Sequence, residues 1–541
     1  MRPFLTLHDP ATARGFYDKG LWTEDTFYSL LAHHAAKRPE SMALRDGRSR
    51  LDWLTLKARV DAMADDLCER GITAGDRVSV WMGNRVETII AFLACSREGI
   101  ACNPSLHKTY TCDDIIELLT ELQSKALITE PGWGADRASK DFEAMLADLP
   151  FLKRVYTPEK FPMHITQLAR EPHANPDSIA YLAFTSGTTG KPKCVMHSCN
   201  TLLANARDLV RDWNIDASST MLTLSPLSHH IAWVAVGQWL VCGCELVTDD
   251  PPKDMSRLDW IVATNAVYVM GVPTHAMDIL AEQRRRKIDR LGDVRIFYMA
   301  GSPIPEVVAK SFVDQGITPQ NIYGMTESSS HQYTHPDDPE NIWISTCGRG
   351  GPAYEVKIWD RDNPDQEAPA GKTGEIGGRG AALMLGYYSN QAATEKTFNR
   401  HGYLMSGDLG SFDADGNLKI EGRVKDLIIR GGHNIYPSQI EARALTHPAV
   451  SKAAAFPIPD ERLGEKVCLA IIGTLTAEDM LAHLSREGLS KFDMPEWFLT
   501  LNELPLTASG KILKRELSEM AKRGEITPTA VRYFEKKEAT I

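Results

Sequence analysis

A run of hydroxyl, glycine and lysine residues follows a short apolar stretch in the first half of the chain. The run consists of Thr185, Ser186, Gly187, Thr188, Thr189, Gly190, Lys191, Pro192 and Lys193. Glycines let a backbone approach an anion closely, and the hydroxyl and ammonium groups add hydrogen-bond donors. Two residues separate Gly187 from Gly190, so the spacing is not that of a Walker loop. The run predicts either a loop that wraps a polyphosphate or a flexible surface turn.

Three further segments place charged or hydroxyl groups on glycine-containing turns. The first follows an apolar strand pattern and contains Tyr323, Gly324, Met325, Thr326 and Glu327. The second presents Asp408 after a Ser-Gly pair and is followed by Arg423, Lys425, Gly431 and Gly432. The third brings Lys511 after a Ser-Gly pair near the C-terminus. A single acid on a turn is usually a solvated turn residue, so only the complete set indicates chemistry.

The composition limits the partners of these groups. The chain has 541 residues, enough for at least two domains, and a net charge of −11. This acidic balance disfavours a nucleic-acid binder, whose binding surface would be basic. The scattered cysteines lack the spacing of a zinc site, and the N-terminus lacks the apolar run of a signal peptide. We therefore expect a cytoplasmic protein with reduced cysteines.

Alternating strand and helix patterns must position these turns. Helical spacing covers Thr23–Lys37, Ser49–Arg70 and Val86–Cys95, and a short strand pattern covers Asp76–Met82. Repeated units of this kind predict a parallel sheet covered by helices. After Gly348, alternating strands with glycine-rich turns predict a smaller β-rich subdomain. The apolar stretch from Ile231 to Cys244 is shorter than a membrane span, so we predict a core helix and no transmembrane segment.

The four segments, in this order, resemble those of the acyl-adenylate-forming superfamily. Its members include acyl-CoA synthetases, nonribosomal peptide adenylation domains and firefly luciferase. The resemblance extends from about Thr26 to the helix after Lys511. It implies an α/β fold with a large N-terminal domain of stacked α/β sheets plus a β-barrel subdomain, and a small mobile α+β C-terminal domain. We expect these domains at residues 1–422 and 426–541, joined by a hinge at residues 423–425 that contains Lys425.

The resemblance implies a role for each nucleotide-binding residue. The loop from Thr185 to Lys193 would wrap the β- and γ-phosphates of ATP. Glu327 would be the Mg²⁺ ligand, beside the Thr326 hydroxyl, because Mg²⁺ prefers a carboxylate together with phosphate oxygens. Asp408 would accept the ribose hydroxyls, and Arg423 would donate to them. The remaining contacts to adenine and AMP are predicted for Gly301, Ser302, Pro303, Tyr323, Gly324 and Met325.

The implied reaction consists of two half-reactions at one site. ATP converts a carboxylic acid into an acyl-AMP and pyrophosphate, and Lys511 would bridge the acid and the α-phosphate in that step. After the small domain rotates, coenzyme A would attack the acyl-AMP, and Gly431 and Gly432 would leave room for its pantetheine arm. Mg²⁺, ATP, coenzyme A and a carboxylic acid are therefore the expected cofactor and substrates. The sequence leaves a homodimer open.

The residues define the acid less narrowly than the nucleotide. His229 matches the family's gate beside the carboxylate, and we predict that His230, Trp233 and Gly324 line the acyl pocket with it. Bulky rings in such a pocket favour a short-to-medium chain, branched, alicyclic or aromatic acid. No basic residue lies between positions 231 and 243, which weighs against a dicarboxylate.

Several alternatives stay open. The protein could adenylate an acid and load it onto a carrier protein, or follow adenylation with a luciferase-like oxidation. It could also be an inactive adenylate-binding regulator, although such a protein would have lost some of Glu327, Asp408, Arg423 and Lys511. Cys194 departs from the family pattern, which has glycine after the phosphate loop, so the conformation of the loop's end is less certain than its donors. Lys425 stands at the hinge, where the family carries Asp or Lys.

Overall fold

A computed structural model describes residues 7–163, 170–185, 192–507 and 511–533. Its strands are β1 Met42–Arg45, β2 Arg50–Asp52, β3 Arg77–Trp81, β4 Ala101–Asn103, β5 Ala126–Thr129, β6 Arg154–Tyr156, β7 Ile179–Thr185, β8 Lys193–Ser198, β9 Thr220–Thr223, β10 Glu245–Thr248, β11 Tyr268–Gly271, β12 Ile296–Met299, β13 Thr318–Met325, β14 Ser329–Tyr333, β15 Tyr354–Trp359, β16 Gly374–Gly380, β17 Gly386–Tyr387, β18 Leu404–Phe412, β19 Leu418–Arg423, β20 Ile428–Arg430, β21 His433–Ile435, β22 Val450–Asp460, β23 Gly464–Gly473, β24 Trp497–Thr500 and β25 Thr529–Ala530.

The helices are α1 Pro10–Asp18, α2 Phe27–Lys37, α3 Trp53–Glu69, α4 Val86–Glu98, α5 Cys112–Leu122, α6 Phe142–Ala147, α7 Cys199–Asp212, α8 His230–Cys242, α9 Arg257–Ala263, α10 Pro273–Arg286, α11 Glu306–Val313, α12 Glu340–Ser345, α13 Gln391–Lys396, α14 Pro437–Leu445, α15 Ala477–Arg486 and α16 Lys514–Lys522. Several begin at a side chain that caps free backbone N–H groups, as Ser198 does for α7. Within the described residues, no helix is both long and apolar enough to cross a membrane.

Two mainly parallel sheets form the large N-terminal part. One has the order β14-β13-β12-β11-β9-β10-β1-β2, and the other has the order β17-β8-β7-β4-β3-β5-β6. One core cluster contains side chains from both sheets and from α2, α3, α4 and α8, so these helices lie between the sheets. Parallel strands need such cover because both faces of the sheet are apolar.

Two smaller sheets follow. The strands β15-β16-β18-β19 form an antiparallel sheet in the segment predicted to be β-rich. The last sheet contains β21-β20-β23-β24-β25 with β22 beside β23, and α14, α15 and α16 belong to the same part of the chain. Its residues have their own core cluster, which includes Ile428, Ile440 and Leu469. A single 3₁₀ turn, Val424–Asp426, lies between β19 and β20 and contains Lys425.

The elements that flank the site agree with the sequence patterns, with one clear exception. The apolar stretch predicted as a core helix is α8, and its residues 232–240 are buried. The prediction of a helix from Ser49 is wrong at its start, because Arg50–Asp52 pairs with β1 as strand β2. The helix begins only after Asp52, whose carboxylate caps the Thr55 N–H at 2.7 Å.

Candidate active site

Strands β7 and β8 flank the predicted phosphate loop. Thr185 ends β7 and pairs across the antiparallel strands with Lys193, and its hydroxyl donates to the Lys193 carbonyl at 3.3 Å. Cys194 is buried in a core cluster with Phe184, so this departure from the family pattern packs inside the protein. Six residues of the predicted loop lie outside the described residues: Ser186, Gly187, Thr188, Thr189, Gly190 and Lys191. Their contacts to phosphate stay predictions.

A short turn between β13 and β14 presents Glu327, which is 7% exposed. The Tyr387 hydroxyl donates to Glu327 Oε1 at 2.8 Å, and the Lys193 ammonium lies 4.5 Å from the centre of the Tyr387 ring. Burial raises the pKa of Glu327, whereas the Tyr387 hydrogen bond and the Lys193 charge lower it. A single buried carboxylate at the end of a strand fits a Mg²⁺ ion that is also held by phosphate oxygens and water.

Asp408 and Arg423 face each other on the adjacent strands β18 and β19. Arg423 Nε donates to Asp408 Oδ1 at 2.8 Å, and the Tyr323 hydroxyl donates to Oδ2 at 2.9 Å. The Asp408 charge raises the pKa of Arg423, and burial raises the pKa of Tyr323, so the tyrosine stays a neutral donor. Each carboxylate oxygen keeps a second lone pair, which a ribose hydroxyl could use. The contact of adenine with Tyr323 stays a prediction.

Lys511 reaches this cluster from the C-terminal part of the chain. Its Cε would lie 3.2 Å from a Cβ atom added to Gly301, so the side chain passes directly over that glycine. Burial and the Arg423 charge lower the pKa of Lys511, whereas the Asp408 and Glu327 charges raise it. The Lys511 N–H donates to the Thr507 hydroxyl at 3.0 Å, which anchors the residue at its backbone. The structure therefore brings Lys511 together with Glu327, Asp408 and Arg423.

Two glycines allow the backbone to come close at this site. Gly301 follows β12 with a φ of +91°, a conformation that L side chains rarely adopt, and Lys511 occupies the space beside it. A Cβ atom on Gly324 would overlap the Ser329 carbonyl oxygen, because β13 and β14 approach closely at a bulge. Ser302 and Pro303 continue the turn after Gly301, and Met325 ends β13. Their contacts to AMP stay predictions.

Comparison with protein families decides what kind of enzyme this arrangement belongs to. A family model described as "AMP-binding enzyme" matches residues 31–388, and one described as "AMP-binding enzyme C-terminal domain" matches residues 439–511. The chain belongs to the AMP-binding enzyme family. It is therefore an AMP-forming ligase of an ATP-dependent adenylating family. The predicted superfamily and fold class are confirmed, whereas the bounds of the domains and hinge stay predictions.

Individual members of the AMP-binding enzyme family resemble the chain over nearly its whole length. Medium-chain fatty-acid–CoA ligase of Escherichia coli (strain K12) is 27% identical, over 95% of this chain and 93% of that protein. The 2,3-dihydroxybenzoate-AMP ligase of Bacillus subtilis (strain 168) is also 27% identical, over 94% and 96%. Among solved structures, ATP-bound MatB from Rhodopseudomonas palustris has a TM-score of 0.81 at 26% identity, with 92% of this chain and 99% of that chain covered.

The residues predicted to line the acyl pocket lie at the start of α8. His229 precedes the helix and stacks on His107 with ring centroids 4.3 Å apart, and burial lowers the pKa of His107 to about 4. Ile231, the second residue of α8, lies near Gly301 and so places this end of α8 close to Lys511. Trp233 is 2% exposed, and its indole N–H donates to the Leu227 carbonyl at 2.7 Å. Contact of these residues with an acid stays a prediction.

The glycines predicted to pass pantetheine form the turn of the hairpin β20–β21. Gly431 has a φ of +58° and Gly432 a φ of +87°, and a hairpin turn with both central residues in this region favours glycine for conformational reasons alone. A Cβ atom on Gly432 would meet no atom within 4 Å. The turn is therefore open on its outer side, and its role with coenzyme A stays a prediction.

Two residues that hold the Glu327 turn escaped the sequence analysis. Tyr387 donates to the Glu327 carboxylate, and His197 Nε2 lies 2.7 Å from the Thr326 carbonyl oxygen. Neither residue stands in a segment rich in glycine or charge, which were the signals used to find the site. The sequence indicates their importance only through their positions in strands. Tyr387 follows Gly386 in β17, and His197 lies four residues after Lys193 in β8.

Proposed function

We propose that the protein is an ATP-dependent acyl-CoA ligase. It activates a carboxylic acid as acyl-AMP with release of pyrophosphate and then transfers the acyl group to coenzyme A. The observation that carries this proposal is the position of Lys511 between Gly301, the Asp408–Arg423 pair and Glu327. A mobile cation at this point can neutralise the two anions that must meet when a carboxylate attacks the α-phosphate.

The first half-reaction uses charges that are already in place. Thr185 and Lys193 hold the two ends of the loop for the β- and γ-phosphates, and Asp408 with Arg423 holds the ribose. Glu327 would hold Mg²⁺, which supplies charge neutralisation to the phosphates when bound. The acid carboxylate enters beside His229, attacks the α-phosphorus and displaces pyrophosphate. Lys511 stabilises the negative charge that builds up on the α-phosphate oxygens in this step.

The second half-reaction needs a thiol to reach the same acyl carbon. The coenzyme A thiol attacks the acyl-AMP carbonyl, the bond to the phosphate oxygen breaks, and AMP leaves with the proton lost by the thiol. Medium-chain fatty-acid–CoA ligase, which resembles this chain over nearly its full length, supports coenzyme A as the acceptor. For this step Lys511 must withdraw and the Gly431–Gly432 turn must replace it, which requires rotation of the C-terminal part.

A second candidate is an adenylating enzyme that loads a carrier protein. The similarly close resemblance to 2,3-dihydroxybenzoate-AMP ligase, which is named for the acyl-AMP and not for coenzyme A, leaves this acceptor open. One experiment separates the two: after pyrophosphate release, thioester formation is measured with coenzyme A and, in parallel, with a phosphopantetheinylated carrier protein. Rapid product with coenzyme A supports the ligase, and product with the carrier alone would overturn it.

The acid is tested with a panel of carboxylic acids in the presence of ATP and Mg²⁺. The aromatic and imidazole rings at the start of α8 favour short-to-medium chain, branched, alicyclic and aromatic acids over long fatty acids. Pyrophosphate release with any member of these classes supports adenylation. Release with none of them, or with dicarboxylates alone, would contradict this assignment. A cytoplasmic location stays a prediction from the sequence, and a homodimer stays open.

Replacement of Gly432 with leucine should block the second half-reaction selectively. The new side chain would project into the open space outside the hairpin turn, where the pantetheine arm is proposed to pass. We expect thioester formation to slow by about tenfold or more, which corresponds to about 1.4 kcal/mol in the barrier. Pyrophosphate release in the first turnover should be unchanged, and acyl-AMP should accumulate on the enzyme. Rapid-quench measurement of both products gives the two rates.

The matched control for this variant is Gly488→Leu. Gly488 also has a positive φ, +74°, and also lies in open space, so its replacement imposes similar backbone strain at a position outside the turn. The control should leave both half-reactions intact. Equal loss of both half-reactions in Gly432→Leu, or a full rate of thioester formation, would remove Gly432 from the pantetheine path.

A further inference from the structure

The backbone of the turn that carries Glu327 is held by hydrogen bonds within the turn and from other segments of the chain. The Ser328 N–H donates to the Met325 carbonyl at 3.1 Å, and the Met384 N–H donates to the Glu327 carbonyl at 2.8 Å. The Thr326 carbonyl lies between the Met325 and Glu327 carbonyls in the chain, and it accepts a hydrogen bond from the His197 side chain at 2.7 Å. His197 is thus the one side chain that bonds a main-chain carbonyl in the described part of this turn.

The hydrogen bonds of His197 fix the position of its proton. A carbonyl oxygen only accepts, so Nε2 must carry the hydrogen that reaches Thr326. Burial lowers the pKa of His197 to about 4, so the ring is neutral and Nδ1 is left as an acceptor. The Thr201 hydroxyl lies 2.9 Å from Nδ1 and 3.2 Å from the Ser198 carbonyl oxygen, so its hydrogen has both atoms as acceptors within reach. A chain of two hydrogen bonds therefore runs from the first turn of α7 through the imidazole to the Glu327 turn.

The strand that carries His197 also carries Lys193. Side chains four residues apart in a strand lie on the same face, so β8 presents both groups toward the β13–β14 turn. Lys193 lies over the Tyr387 ring, whose hydroxyl holds the Glu327 carboxylate, and His197 holds the preceding peptide. One strand face therefore fixes both the side chain and the backbone of Glu327.

A second histidine contacts the other end of the same turn. His230, the first residue of α8, stacks on His197 with ring centroids 5.6 Å apart and an angle of 25° between the rings. Its Nε2 lies 3.0 Å from the Ser329 hydroxyl. Ser329 has a φ of +58°, a costly conformation for a residue other than glycine, which the surrounding contacts must maintain. The stacked rings thus contact residues on both sides of Glu327.

We propose that His197, as the Nε2–H tautomer set by the Thr326 carbonyl and held in place by the Thr201 hydroxyl, is a positioning residue that aims the Glu327 carboxylate at the metal–triphosphate part of ATP. The inference rests on the proposed function, because it assigns Glu327 to the metal. Groups that orient a metal ligand commonly contribute 10-fold to 100-fold to metal affinity or activity. The effect of His197 should therefore appear in the binding of MgATP and be absent from the binding of AMP, which engages Asp408 and Arg423.

The test compares His197→Leu with His197→Gln. The leucine removes the donor, whereas the glutamine amide can place an N–H near the original Nε2 position. Calorimetric titration should show MgATP binding weakened about 10-fold in His197→Leu and largely restored in His197→Gln. AMP binding and the melting temperature should stay close to the wild-type values in both variants. Pyrophosphate release at varied Mg²⁺ should show a higher half-saturating concentration for the leucine variant.

Thr201 provides a second pair of variants that leaves His197 in place. Thr201→Ser keeps the hydroxyl and should bind MgATP as the wild type does, whereas Thr201→Val should weaken binding in the same direction as His197→Leu. Wild-type MgATP affinity in His197→Leu, or an equal loss of AMP and MgATP affinity, would overturn the positioning role. If the wild-type protein bound AMP but released no pyrophosphate with any acid, the proposed function would fail instead, so the two failures are distinguishable.

Discussion

Replacement of Lys511 with alanine should slow acyl-AMP formation by about 100-fold or more, the size expected when one preorganised charge stabiliser is removed. The side chain lies against Gly301, where the charges of Arg423, Asp408 and Glu327 all act on it. The measurement is single-turnover release of pyrophosphate from ATP with a saturating acid.

The same variant should still use acyl-AMP when it is supplied. The second half-reaction takes place after Lys511 has withdrawn, so synthetic acyl-AMP with coenzyme A should give thioester at close to the wild-type rate. Lys522→Ala is the matched control, because Lys522 is an exposed lysine in the last turn of α16 and pairs with Glu519. The control should be active in both steps. Wild-type adenylation by Lys511→Ala would exclude the assigned role.

The lowered pKa of Lys511 predicts a second measurable effect, which is a change in the pH dependence of adenylation. Burial and the Arg423 charge lower that pKa, so in the free enzyme the ammonium loses its proton at a lower pH than an ordinary lysine does. The cation is present below the lowered pKa and is lost as the pH rises through it. The kcat/KM for adenylation reports groups in the free enzyme, so it should fall on the alkaline side. The alkaline fall in kcat/KM that is due to this ammonium should be absent in Lys511→Ala.

The nucleotide site was predictable from sequence because its residues stand on turns that follow strands. The carboxyl ends of neighbouring strands meet at one edge of a sheet, so Glu327 after β13 and Gly301 after β12 had to come close. Asp408 and Arg423 are likewise brought together by adjacent antiparallel strands. Residue type and strand position were sufficient in these cases.

The groups that hold these residues in place were not predictable in the same way. Tyr387 contacts Glu327 because the two-residue strand β17 pairs with β8, and nothing local to either residue indicates that pairing. The contact between His197 and Thr326 was not predictable either, because the two residues are distant along the chain. At strand β2 the sequence pattern predicted too much helix. The helical spacing from Ser49 to Arg70 is present, but the first residues of that segment pair with β1 and form a strand.

The acyl pocket is the part of the site that sequence defined least, and Trp233 is the residue that tests it. Trp233→Ala should lower the free energy of unfolding by about 3–5 kcal/mol, as for other buried aromatic residues replaced by alanine. The indole packs on Phe92 with ring centroids 4.2 Å apart and donates to the Leu227 carbonyl. Urea denaturation of the wild type and the variant gives the difference.

If Trp233 lines the acyl pocket, its replacement should also change the preference among acids. A loss of packing alone would not change that preference. The start of α8 lies beside Gly301 and Lys511, and Trp233 lies in the first turn of that helix. If the indole closes the pocket, its removal should shift kcat/KM toward longer or bulkier acids by tens of fold over a few carbons, since each buried methylene contributes about 0.8 kcal/mol.

Trp260→Ala separates the two effects. Trp260 is equally buried and also donates its indole N–H to a backbone carbonyl, that of Thr248, but it belongs to a different core cluster. Both variants should lose comparable stability, and only Trp233→Ala should change the order of preference among acids. Because the ratio of kcat/KM values between two acids cancels any loss of folded enzyme, it measures the pocket alone. Unchanged ratios in Trp233→Ala would place this tryptophan in the core and leave the closure of the acyl pocket to His229 and His230.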